Sequence, residues 1–62
     1  MRKIAILCRK LKRTTGRAYC VKASARGRYI VYLFDYLAHD WAFVSVFSSV
    51  NGVVSYLNAK FL

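Results

Sequence analysis

Hydrophobic and polar residues change rhythm several times along this chain, and each rhythm predicts an element. From Arg17 to Ser24 they alternate with period two. Tyr19, Val21 and Ala23 fall on one face, and Ala18, Cys20, Lys22 and Ser24 on the other. The alternation resumes over residues 28–36, with Tyr29, Val31, Leu33 and Asp35 on one face and Ile30, Tyr32, Phe34 and Tyr36 on the other. Between the two runs lies Ala25-Arg26-Gly27-Arg28, where Gly27 can take the positive φ of a tight turn. The stretch from Arg17 to Tyr36 therefore predicts a β-hairpin with a basic tip and an aromatic second arm. Leu37 to Asp40 make a short connection. A third strand is expected over 41–47, placing Trp41, Phe43, Ser45 and Phe47 opposite Ala42, Val44 and Val46.

The two ends of the chain carry mixed rhythms. In residues 3–13, Ile4, Leu7, Cys8 and Leu11 form the stripe of an amphipathic helix, with Thr14, Thr15 and Gly16 to stop it. Ile4, Ile6 and Cys8 also alternate, and a strand is favoured here because the hairpin needs neighbours in a sheet. In residues 49–61, Asn51-Gly52 resembles a hairpin turn. Val50, Val53, Val54, Leu57 and Phe61 nevertheless follow helical spacing, and Ser48 or Ser49 suits an N-cap. A helix is the better fit. The expected fold is α+β, a small antiparallel sheet of three or four strands with one C-terminal helix packed on one face, built as one basic domain over 1–62.

Charge changes this picture most. The net charge is +9, and ten of the eleven lysines and arginines lie in the first 28 residues, with no acidic residue among them. The rest of the chain carries Lys60 against Asp35 and Asp40. Solubility alone does not require all the charge at one end, so the asymmetry points to an anionic partner. Composition adds a second clue. Hydrophobic residues make up 58% of the chain, more than a core of this size hides, so some apolar surface is left for a homodimer, a partner or a membrane.

The membrane alternative rests on the uncharged run from Trp41 to Ala59. That run contains Asn51, Asn58 and four serines, so a spanning helix is not expected. The start, Met1-Arg2-Lys3 before Ile4 to Cys8, mimics a signal peptide, but its apolar stretch is too short for one and for lipidation at Cys8. Cys8 and Cys20 read as small buried residues of a reduced, cytoplasmic chain. With His39 they do not complete a tetrahedral zinc site, and no cofactor is expected.

Catalysis is not expected either. The only carboxylates are Asp35 and Asp40, and His39 precedes Asp40 directly, which points the two side chains apart in an extended segment. There is no phosphate-binding glycine loop and no serine elbow. Nucleic acid, DNA or RNA, is the expected partner. Arg13, Arg17, Arg26 and Arg28 are the leading candidates for phosphate contact, with Lys10, Lys12 and Lys22 beside them. A two-stranded ribbon fits a major groove, and an open aromatic sheet face stacks unpaired bases. If Val31 and Leu33 face the helix together with Val44 and Val46, then Tyr32, Phe34 and Tyr36 lie on that open face, for stacking or for a homodimer interface, while Trp41 belongs to the core. The competing reading is a small regulator, of a kind encoded by phages or mobile elements, that docks on an acidic host protein.

Overall fold

The computed structural model describes residues 2–61; Met1 and Leu62 lie outside the described residues. Five elements follow one another: α1 (Arg2–Thr15), β1 (Tyr19–Ala23), β2 (Tyr29–Asp35), β3 (Asp40–Phe47) and α2 (Val50–Ala59). The strands form an antiparallel meander in the order β1-β2-β3. The protein is thus α+β, with a small antiparallel sheet and a C-terminal helix on it.

The N-terminal segment corrects the sequence-based expectation. Residues 3–13 belong to a helix and not to a fourth strand. The alternation of Ile4, Ile6 and Cys8 would continue onto Lys10 and Lys12, putting charges on an apolar face. The helical stripe instead runs on to Leu11. Ile4 and Leu11 are buried, Leu7 and Cys8 pack beside them, and Ile6 faces solvent. Gly16 ends the helix at φ +78°, its amide donating to the Lys12 carbonyl at 3.0 Å. The Thr15 hydroxyl donates back to the Leu11 carbonyl at 2.8 Å.

The β1–β2 turn forms where expected. Gly27 sits at φ +72°, the left-handed region that glycine enters without strain. Its amide reaches the Ser24 carbonyl, and the Ser24 hydroxyl accepts from the Arg26 and Arg28 amides. At the other end of the sheet, Asp35 Oδ1 accepts from the Leu37 and Ala38 amides, and His39 takes φ +58° to close the turn. His39 therefore supplies backbone conformation, while Asp35 supplies the cap.

Helix α2 forms as the spacing of its valines requires. Ser49 is its N-cap, in extended conformation, and its hydroxyl accepts from the Gly52 amide at 3.1 Å. Gly52 also serves packing, because a Cβ there would lie 3.2 Å from Phe47 Cδ1. Both helices pack on the same side of the sheet and against each other. The core between them and the sheet is Ile4, Leu11, Tyr19, Val31, Val53 and Leu57. Tyr56 closes its margin, edge-on to Tyr19 and 5.3 Å from Phe47. No helix among the described residues is long and apolar enough to cross a membrane.

A bulge in β3 sets which side chains remain uncovered. Val31 pairs with Ser45 and Tyr32 with Phe43, so Val44 has no partner across the ladder. The bulge shifts the alternation by one residue. Cross-strand partners share a face. Trp41 therefore stands with Phe34, Phe43 with Tyr32, and Val46 with Ile30, on the side of the sheet opposite the helices, and Trp41 reaches the β1 edge to line a groove with Ile4 and Ala5 of α1. Val44 and Phe47 turn inward to the core. Two expectations are overturned here. Trp41 is not a core residue but is 45% exposed, and Val46 does not join Val44 under the helices.

Candidate nucleic-acid interface

Two surfaces meet along strand β1: a basic flank made by α1 and an aromatic sheet face. The flank follows from helix geometry. At 100° per residue, Arg2, Arg9 and Arg13 lie in one line opposite Ile4 and Leu11, and all three are exposed. Helix and strand run antiparallel, since a groove of about 390 Å³ has Ile4 and Cys8 on the helix side and Tyr19 and Val21 on the strand side. A second groove sets Arg9 and Lys12 against Ala18 and Tyr19. Arg2 and Lys3 therefore lie toward the end of β1 that leads into the hairpin tip, where Arg26 and Arg28 are also exposed. Arg13 and Arg17 lie at the opposite end, beside the start of β1.

The lysines are distributed differently. Lys12 reaches the β2–β3 turn, donating its ammonium to the Tyr36 hydroxyl and lying 5.0 Å from the centre of that ring. The Tyr36 hydroxyl in turn donates to the Gly16 carbonyl at 3.4 Å. Lys10 points to the other side of the helix, 5.7 Å over the Phe61 ring, which takes it away from the β1 edge. Lys22 projects from β1 on the uncovered side of the sheet, 5.9 Å over Tyr32. The residues proposed from sequence thus split into Arg13, Arg17, Lys12 and Lys22 around β1, Arg26 and Arg28 at the tip, and Lys10 apart.

Across the sheet face, Phe34 is the hub of an aromatic cluster. Its ring is edge-to-face with Tyr36 at 5.0 Å, Trp41 at 5.3 Å and His39 at 5.8 Å. Tyr32 and Phe34 lie on the open face as expected, and Tyr36 stands just beyond the end of β2. Phe43 adds a ring that is 65% exposed. Between Cys20, Lys22, Tyr32 and Trp41 lies a small hollow of about 170 Å³. Beyond the face, Leu37 stands at the turn tip, fully exposed.

No protein-family model, curated protein or solved structure matches the chain.

The site accordingly stands on its own geometry. Neither acidic residue competes for the basic flank. Asp35 is engaged by the turn amides, and Asp40 Oδ1 accepts from the Trp41 amide at 2.7 Å. The two cysteines are free and half-buried, both lining the groove between α1 and β1. Burial pushes the Cys8 thiol above its ordinary range, and the nearby Cys20 adds to the shift, so Cys8 is kept a neutral packing group.

Sequence reasoning passed over Arg2 and Arg9, which complete the line with Arg13, because it read the segment as a strand. Their spacing of seven and four residues was the available signal. It also passed over Trp41 and Phe43 as face residues. The bulge at Val44 that puts them there has no signature in the local sequence.

Proposed function

We propose that this protein binds nucleic acid, as a small non-catalytic accessory or regulatory factor, through the basic flank of α1, the edge of β1 and the hairpin tip. The observation that carries the reading is the alignment of Arg2, Arg9 and Arg13 on the outward line of α1, which runs toward Arg26 and Arg28 with no carboxylate between them. Phosphates are recognised by such rows of exposed cations, and releasing their counterions drives binding.

The placement of Arg2 and Lys3 supports the same reading. They stand in the first turn of α1, where no acidic residue offsets the positive end of the helix dipole. Cations there oppose helix stability by about 0.3–1 kcal/mol each at low ionic strength. Stability does not favour that arrangement, whereas an anionic partner does. With two free thiols, the cytoplasm is the compartment proposed for this activity.

The test is a pair of double variants measured against duplex and single-stranded oligonucleotides. Arg26→Ala with Arg28→Ala, and Arg9→Ala with Arg13→Ala, are each expected to weaken binding across all sequences and leave the thermal midpoint unchanged. Unchanged affinity in both would remove the flank and the tip from the site. A second reading, docking on an acidic protein, is favoured by one observation, the fully exposed Leu37 beside the aromatic cluster. It would be supported by a stoichiometric protein complex that Leu37→Ser abolishes.

A further inference from the structure

We infer that the ligand is single-stranded nucleic acid, and that its bases stack on the open face of the sheet while its phosphates lie along the β1 edge. The inference rests on the nucleic-acid reading and adds the class of strand and the place of the bases.

Three observations on the uncovered face carry it. First, the face is aromatic where it is most accessible: Trp41 and Phe43 are 45% and 65% exposed, with Tyr32 beside them. Trp41 packs edge-to-face on Phe34 at 5.3 Å, and Phe43 stands opposite Tyr32 across the ladder, so rings from both β2 and β3 share the face. Second, Lys22 lines the hollow together with Tyr32 and Trp41, and its ammonium stands 5.9 Å over the Tyr32 ring. An aromatic slot with a cation in its lining suits a planar base with a phosphate attached. Third, no acidic residue lies on the face. Beside the rings the register adds Cys20, Lys22, Ile30 and Val46, and Asp35 and Asp40 are confined to the turn end of the sheet.

A second copy of the chain is the other natural cover for an apolar sheet. Sheet-on-sheet pairing would bring together two chains of net charge +9 and set Lys22 of each within the shared interface. Duplex DNA is disfavoured for a different reason. Its bases present only their edges in the grooves, leaving the ring faces on this sheet without partners.

Trp41 is the sole tryptophan and reports directly on the face. The experiment titrates the intact protein at fixed salt with dT12, U12 and a 12-base-pair duplex, following Trp41 emission and affinity together. A twelve-nucleotide strand lies within the range of about 4–16 nucleotides that single-strand modules cover. The expected result is quenching by a single strand, with affinity at least about tenfold above the duplex. Comparing dT12 with U12 assigns DNA or RNA. Phe43→Ala and Tyr32→Ala should each lower single-strand affinity by about 5- to 150-fold. Phe43 is exposed enough that its variant keeps the fold, which a thermal melt verifies. Duplex binding as tight as single-strand binding, with Trp41 emission unchanged, would overturn the inference and leave the basic flank as the site. A dimer in sedimentation whose Trp41 resists acrylamide before nucleic acid is added would also overturn it. Absence of salt-sensitive binding to any strand would remove both the inference and the reading beneath it.

Discussion

Trp41 stands edge-to-face against Phe34, with ring centroids 5.3 Å apart and planes at 79°. The contact holds the indole on the uncovered side of the sheet and makes Phe34 its support. Phe34 meets three rings, whereas no aromatic pair involves Phe43 among the described residues. Phe34→Leu is therefore expected to destabilise the protein by about 1–2 kcal/mol. Phe43→Leu should stay within about 0.5 kcal/mol of the parent. Urea unfolding of the two variants checks the order.

The helical assignment of the N-terminal segment is tested by a contrast on one element. Leu11 is fully buried and Ile6 is 52% exposed, although a strand would have placed Ile6 on the apolar face with Ile4. Leu11→Ala should cost about 2–5 kcal/mol. Ile6→Ala should change stability by less than about 0.5 kcal/mol. Equal losses would contradict the helix.

Helix α2 depends on its cap. Ser49→Ala removes the only side-chain acceptor that the structure gives the Gly52 amide, and is expected to cost about 1 kcal/mol. In a chain of this size that lowers the thermal midpoint by about 4–8 °C. Ser49→Asp should restore most of it, since aspartate caps as well as serine. Far-ultraviolet circular dichroism melts resolve both.

Cys8 makes stability fall at alkaline pH. Its pKa is raised in the folded state from an ordinary value of 9.0, first by burial and then by Cys20. The fold favours the neutral thiol. That contribution is complete below the ordinary value and is lost as pH rises through the raised one, because the unfolded chain releases its proton first. Cys8→Ala should therefore reduce the loss of thermal midpoint between pH 8 and pH 10.5. An identical loss in parent and variant would contradict the assignment.

The hairpin and the C-terminal helix were legible because single residues specify them. Gly27 can sit at positive φ in a turn between two alternating arms, and Val50, Val53, Val54 and Leu57 share a helical stripe that outweighs Asn51-Gly52. Residues 3–13 misled because three alternating positions, Ile4, Ile6 and Cys8, compete with four helical ones, and only the burial of Leu11 decides between them. The open face was legible in part. Tyr32 and Phe34 follow from the phase of β2 once Val31 is inside. Trp41 and Phe43 depend on the bulge at Val44, which reverses the phase of β3 between Ser45 and Phe43. The basic line of Arg2, Arg9 and Arg13 becomes visible only when the segment is wound as a helix.

A basic flank that takes phosphates releases their counterions, so its binding weakens steeply with salt. Affinity for a dT12 strand would be measured from 50 to 200 mM salt. With four phosphates neutralised, the logarithmic slope should be about −3, a fall of about 50-fold over that range. Removing Arg9 and Arg13 together should make the slope shallower by about 1.4. No binding at 50 mM salt, or an affinity that does not change with salt, would contradict the account.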